Sequence, residues 1–511
     1  MPHLLGIDLG TSGVKVLIID ESGAVKANVT EEYPLDTPRP LWSEQNPADW
    51  WQGTVRAIGR ALAEAHLPGD AVGGIGLSGQ MHGLVMLDAD GQPVRPCILW
   101  NDQRSAAQCL AMTERIGLER LLALTANPVL PGFTAPKIVW TRENEPAVYA
   151  RAARVLLPKD YLRYRLSGEY ATEVSDASGT SLFDVRHRAW SAEMLDRLDI
   201  PRDWLPPVYE SPVVSSQVSR SAAEATGLTA GTPIVGGGGD QAAGAVGSGV
   251  VKPGIVSVTT GTSGVVFAHL NEFALDPQGR LHAFCHAVPG RWHVMGVTLS
   301  AGGSLRWVRD MLGQPEVAVA ALTGVDPYVI LMDEAAQAPP ACEGLVFLPY
   351  LSGERTPYAD PNAKGVFVGL SLRHGKGHLV RAVLEGVAYS LRDCLELIRG
   401  LGPDVAQVRA SGGGARSALW RQIQADVFGT DLVTINVAEG AAYGAALLAG
   451  VGADVYASVE EAVEGVIRIT GRTVPSAATP TYAAGYKVYR GLYPALRPTF
   501  AAIATTQAAE K

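Results

Sequence analysis

The pentapeptide Gly-Thr-Ser-Gly-Val occurs twice in this chain, at Gly10–Val14 and at Gly261–Val265. Each copy joins two short apolar runs. Leu4–Asp8 and Val14–Ile19 flank the first, and Ile255–Thr259 and Gly264–Phe267 flank the second. Apolar runs linked by glycines and hydroxyls read as hairpins, and the amides and hydroxyls of such a turn can face an anion. Recurrence of the same hairpin, so far apart in sequence, points to internal duplication. The chain of 511 residues exceeds what one core organises. The expectation is an α/β protein with two related domains, residues 1–231 and 232–511, each presenting its hairpin to a shared cleft. Such a pair can hold a polyphosphate from both sides.

The halves differ at one place. Asp8 precedes the first turn, whereas Thr259 holds the matching place in the second. A second carboxylate, Asp240, follows directly after Gly236–Gly239, where the backbone can approach a ligand closely. One or two carboxylates beside phosphate oxygens suit Mg²⁺.

Bulk properties exclude other classes. A net charge of −9 argues against nucleic acid or an anionic membrane as the main partner. Five scattered cysteines without a CxxC favour reduced thiols in a cytoplasmic protein over disulfides or zinc. The N-terminus enters a strand without a leader-like segment, and no apolar run reaches membrane-spanning length.

Along the chain, Asn46 caps a helix opened by Pro47 and running to about Ala65. Strands are expected at Val72–Leu77 and Leu84–Leu87, and helices at Phe133–Asn144, at Pro146–Val155 and from Pro158. Thr172–Asp184 reads as loop and short strands, Ala441–Ala449 as a small-residue helix packed closely on a neighbour, and Ala501–Lys511 as a frayed end. Gly74–Gly79 matches GxGxxG, but turn and strand follow it instead of a helix, so it is a weak dinucleotide signal. No GxxxxGK[ST] is present, so a P-loop is excluded.

Several motifs together resemble the FGGY family of carbohydrate kinases, within the actin-like ATPase (ribonuclease H-like) superfamily. Gly6–Ser12 is similar to the family's first phosphate loop, Thr260–Ser263 to its second, and Ser411–Gly414 to its adenosine loop. Gly365–Leu370 with His378–Glu385 fits its C-terminal signature, and Gly132–Trp140 fits its other signature, departing afterwards at Thr141. Gly79–Gly83 and Trp42–Pro47 are similar to the xylulose kinases within the family. The resemblance implies ATP-dependent phosphorylation of a sugar, D-xylulose first among the candidates, with Mg²⁺. It implies Asp240 as catalytic base, Asp8 at the metal with Asp240, and Met81, His82, Asn101 and Asp102 at the sugar. Thr11, Ser12, Gly261, Thr262 and Ser263 would hold phosphates, and Gly412, Gly413 and Gly414 the adenosine. A homodimer is common in such families.

Other readings stay open on sequence. Ribulose, glycerol and gluconate are alternative acceptors. An actin-like ATPase without a sugar would leave the Met81-His82 pair incidental, and a nicotinamide oxidoreductase would rest on the GxGxxG alone. Asp102 with Arg104 equally reads as a surface ion pair.

Overall fold

The computed structural model describes residues 2–509. It is built on two seven-stranded sheets. In the first, β1 (His3–Leu9), β2 (Gly13–Ile19), β3 (Val25–Glu32), β4 (Val72–Gly79), β5 (Val214–Gln217) and β6 (Pro233–Val235) lie in the order β5-β6-β4-β1-β2-β3, and β7 (Gly238–Gly239) also pairs with β4. In the second, β8 (Gly254–Thr260), β9 (Gly264–Leu270), β10 (His282–Cys285), β11 (Trp292–Thr298), β12 (Val405–Ser411), β13 (Leu432–Ile435) and β14 (Ile469–Thr473) lie in the order β10-β11-β9-β8-β12-β13-β14.

The two sheets repeat one plan. β1–β2 and β8–β9 are antiparallel hairpins, extended antiparallel by β3 and β11. On the other side β1 takes β4 as a parallel neighbour and β8 takes β12. β6 and β13 follow in parallel, then β5 and β14 antiparallel. The duplicated pentapeptide therefore marks a duplicated strand order. Within it Asp8 lies opposite Ser78, and Thr259 lies opposite Ser411. Leu4, Leu5, Ile7 and Leu9 of β1 are all buried, the continuous apolar run of a strand covered on both faces.

A helix follows the corresponding strand in each half, Asp240–Gly247 after β7 and Gly440–Gly452 after β13. These two helices cross at the centre of the molecule with almost no side chain between them. A Cβ on Gly444 would lie 1.8 Å from the Ala243 carbonyl oxygen, and one on Gly247 would lie 1.9 Å from that of Gly440. The Gly440–Gly452 helix also covers the first sheet, where a Cβ on Gly76 would lie 1.9 Å from the Ala445 carbonyl oxygen. The small-residue helix thus has the close neighbours its composition predicts. The helix Pro47–Glu64 begins as expected, with the Asn46 side chain accepting the Ala48 amide.

Four expectations change. Pro233–Val235 and Gly238–Gly239 pair with β4, so a division at 231/232 cuts through the first sheet, and the second sheet starts at Gly254. Gly231, with φ 91°, is a turn inside the first unit and not a link between units. The helix expected over Pro146–Val155 is a single turn, Pro146–Tyr149, because Arg154–Leu156 pairs with Val85–Leu87 as a strand. Thr172–Asp184 contains a helical turn, Val174–Ala177. The C-terminal segment is not frayed from Ala501: the helix Thr479–Ala509 continues through it, anchored by the buried Phe500, and Glu510 and Lys511 lie outside the described residues. No described helix is long and apolar enough to cross a membrane.

Candidate active site

Three parallel strands end side by side. Asp8 of β1 lies opposite Ser78 of β4, and Gly238 and Gly239 of β7 lie opposite Ser78 and Gly79. The residues just beyond or at these ends are Asp8, Gln80-Met81-His82 and Asp240. The crevice beyond the carboxyl ends of parallel strands is where α/β sheets take ligands.

Asp240 is the first residue of its helix and is half-buried. Burial, and then the neighbouring Asp8 carboxylate, push its carboxyl up to about 7. Asp8 is raised by burial against the opposing pull of Ser78 and Lys15. Its Oδ1 is buried with no hydrogen-bond partner. Two acids raised by burial, one of them pushed up further by the other and one with an orphaned oxygen, form a site short of positive charge. A divalent cation completed by water and phosphate oxygens fits that deficit.

The glycine run before Asp240 is pinned almost residue by residue. Arg163 donates from Nη1 to the Val235 carbonyl at 2.5 Å and from Nη2 to that of Gly236 at 2.6 Å. The Gly236 and Gly237 amides donate to the Val213 and Ser211 carbonyls, both at 2.8 Å. The Gly239 amide donates to Ser175 Oγ at 3.1 Å, and Glu173 in turn accepts from the Ser175 hydroxyl at 3.0 Å. Arg163, Glu173 and Ser175 are buried.

Met81 is buried against this run: a Cβ on Gly239 would lie 2.9 Å from its sulfur. His82 adopts φ 70°, uncommon for a residue other than glycine. Its carbonyl accepts from Thr134 Oγ1 at 3.1 Å and Lys137 Nζ at 2.9 Å, which hold that turn in place. Its Nδ1 lies 2.8 Å from the Gly179 carbonyl oxygen. A carbonyl only accepts, so Nδ1 carries the proton and Nε2 keeps a lone pair. Burial, then the nearby Lys137 charge, hold the ring well below its usual pKa. His82 therefore presents a neutral acceptor.

Each hairpin turn is closed by the amide of its first glycine, Gly10 N–H to the Gly13 carbonyl and Gly261 N–H to the Ser263 carbonyl one place earlier in the repeat, both at 3.0 Å. Among the described residues the amides of Thr11, Ser12, Thr262 and Ser263 donate to nothing, nor do the hydroxyls of Ser12, Thr262 and Ser263. These are unspent donors of the kind that bind anions. Thr11 differs at its side chain. Its hydroxyl donates to Gln80 Oε1 at 3.3 Å and accepts from Trp100 Nε1 at 3.0 Å, so only its amide is free. Gln45 braces the same loop, donating to the Thr11 carbonyl at 2.7 Å while accepting from Gln80 and Trp50, each at 3.1 Å.

Gly412, Gly413 and Gly414 follow β12 beside the second turn. Gly412 has φ 79°, and a Cβ there would lie 2.7 Å from the Thr260 carbonyl oxygen. Gly412 and Gly413 are exposed, a flat backbone surface next to the free donors of Thr262 and Ser263.

Asp102 departs from its expected part. It is fully buried, and its carboxylate accepts from the Ser43 amide at 2.6 Å, the Arg104 amide at 2.8 Å and the Arg104 guanidinium at 2.7 Å. It is neither a free sugar ligand nor a surface pair. It is the buried anchor of Arg104, which stacks 3.7 Å from the Trp42 ring centroid. Asn101 is exposed and lines an open groove with Thr37–Ser43.

Sequence reading missed Gln45, Gln80, Lys137, Arg163 and Ser175. The first three lie inside the motifs already singled out, so spacing could have found them. Arg163 and Ser175 carry no such signal, because they act through backbone groups distant in sequence.

Comparison with known proteins accords with this geometry. Residues 3–247 match the N-terminal domain, and residues 256–453 the C-terminal domain, of the FGGY family of carbohydrate kinases. The xylulose kinase of Escherichia coli (strain K12) is 43% identical over 97% of this chain and all of its own length. That of Bacillus subtilis (strain 168) is 39% identical over 96% of this chain and 97% of its own. The crystal structure of xylulose kinase from Rhodospirillum rubrum is 30% identical, with a TM-score of 0.90 over 98% of this chain and 99% of that one. The repeated actin-like halves, the paired donor turns and these matches together establish that the chain belongs to the FGGY family of carbohydrate kinases.

Proposed function

We propose that the protein transfers the γ-phosphoryl group of ATP to D-xylulose, giving D-xylulose 5-phosphate and ADP. The observation that carries the reading is the convergence of Asp240 with Met81 and His82 at adjoining strand ends, one turn away from the donors of the first loop. The near relatives named as xylulose kinases support the choice of sugar.

Phosphoryl transfer needs placement and charge neutralisation more than covalent chemistry. Asp240 accepts the proton of the attacking hydroxyl, a contribution of ~10² to 10⁴ in rate. His82 Nε2 accepts a hydrogen bond from another sugar hydroxyl, and Met81 supplies an apolar wall. Ser12, Thr262 and Ser263 with their amides, and the Thr11 amide, hold the phosphates, while Gly261, whose own amide closes its turn, shapes the second cradle without donating to it. Gly412 and Gly413 offer the adenosine a flat seat, whereas Gly414 is buried against Thr260 and Trp420 and supports it from within. Asp8, with Asp240, would hold Mg²⁺, which when bound neutralises phosphate oxygens. We assign the protein to the cytoplasm, in keeping with its five free, buried cysteines, and a homodimer as its assembly.

A panel of D-xylulose, D-ribulose, gluconate and glycerol with MgATP tests the reading. D-Xylulose is expected to give the highest kcat/KM. A higher value for another acceptor reassigns the sugar, and ADP release indifferent to any acceptor would instead favour an ATPase.

A further inference from the structure

Arg355 is a guanidinium without a protein partner. Its side chain makes no hydrogen bond or ion pair with the described residues, although its backbone amide does. It is half-buried, and burial lowers its pKa. A charge drawn partly out of water and left unpaired is unfavourable. The adjacent Glu354 offsets part of that cost through its charge but forms no ion pair with it. That carboxylate accepts from Thr298 Oγ1 at 2.7 Å, from the Leu299 amide at 3.0 Å and from the Arg355 amide at 2.7 Å.

The place of Arg355 is fixed by its neighbour Thr356, whose amide donates to the Val297 carbonyl at 3.1 Å and whose hydroxyl donates to that of Arg280 at 3.0 Å. This sets it at the end of β11, beside β10, where Met295 and His282 are directly paired. That wall faces the first half across a continuous set of rings. Phe133 lies 4.6 Å from His82 and 5.8 Å from His282, and Phe284 lies 6.1 Å from His82. The positive charge of Arg355 is felt at both histidines.

We propose that Arg355 is a substrate-binding residue, the second half's contact to the acceptor sugar, donating hydrogen bonds to its carbonyl and hydroxyl oxygens from the side opposite His82. This rests on the reading of His82 as a sugar contact. The chemistry is complementary: His82 Nε2 only accepts and so takes a hydroxyl proton, while a guanidinium only donates and so takes oxygen lone pairs. A ketose held by both halves links them, so acceptor binding favours closure of the cleft and exclusion of water.

The test is steady-state kinetics of wild type, Arg355→Met and Arg355→Gln, with melting temperatures alongside. The KM for the acceptor is expected to rise about 10- to 100-fold, with KM for MgATP within about twofold and melting not lowered, since an unpaired charge is removed and no protein contact is lost. An acceptor KM within about twofold of wild type in both variants overturns the proposal. So does a rise confined to the KM for MgATP, which would place the guanidinium on phosphate. The wild-type panel runs first, and the variants are measured on whichever acceptor it prefers. A wrong choice of sugar then shows in the wild type, and a wrong role for Arg355 only in the variants.

Discussion

Asp240→Asn is expected to leave the protein folded and to lower kcat by at least ~10². The amide keeps the shape of the carboxylate but cannot accept a proton from the sugar hydroxyl. The same substitution has a second, opposite signature in the metal-free protein. Asp240 is raised from 3.8 to about 7 when folded, by burial and by Asp8. Below pH 4 both folded and unfolded chains hold its proton. Between pH 4 and 7 the unfolded chain releases the proton while the folded chain retains it, so wild type loses stability as pH rises through that window. Above pH 7 the whole penalty is present, at most about 4 kcal/mol. Asn carries no such penalty. Thermal melts in EDTA should therefore put the variant above wild type at pH 8, with the gap closing towards pH 4. Near-normal turnover would reassign the base, and equal melting at both pH values would contradict the destabilisation of the Asp240 carboxylate by burial and by Asp8.

Much of this site could be read from the sequence because its chemistry is local. The repeated turns, Asp8 and Asp240 each sit in a short stretch whose residue types state their use. The duplication extended further than its five matching residues, into the whole strand order, because one strand plan places the same turn at the same edge in both halves. What could not be read was pairing across distance. Pro233–Val235 looked like the start of a new unit, since nothing local says that it completes a sheet begun at His3. Asp102 read equally as a sugar contact or a surface pair with Arg104, because its burial and its bond from the distant Ser43 amide declare themselves only once the chain is packed. Thr11 looked like a phosphate-binding hydroxyl, but Trp100 and Gln80 reach it from other segments. Arg355 had no signal at all, because what distinguishes it is the absence of a partner.

Gly444→Ala should destabilise the protein and lower its activity together, although it adds one methyl group of modest volume. That carbon would lie 1.8 Å from the Ala243 carbonyl oxygen and 2.8 Å from the Gly247 amide nitrogen. Both are backbone atoms, so no side chain can turn aside, and the Gly440–Gly452 and Asp240–Gly247 helices must separate. Overpacking of this kind costs about 1 to 3 kcal/mol or more. Ala243 is in the first turn of the helix that Asp240 opens, so the separation displaces the carboxylate. A shift of about 1 Å at a reacting group can lower kcat by up to ~10². Gly59 supplies the control. It lies in the helix Pro47–Glu64 with nothing within 4 Å of its added Cβ, and Gly59→Ala should stabilise by about 0.5 to 1 kcal/mol without changing kcat. One chemical change thus carries opposite signs at two helical glycines, decided by what stands opposite each. Melting temperature and kcat measured on both variants check this. A Gly444→Ala protein that melts and turns over like wild type would mean that the two central helices are not in backbone contact, and that Asp240 is not held by their crossing.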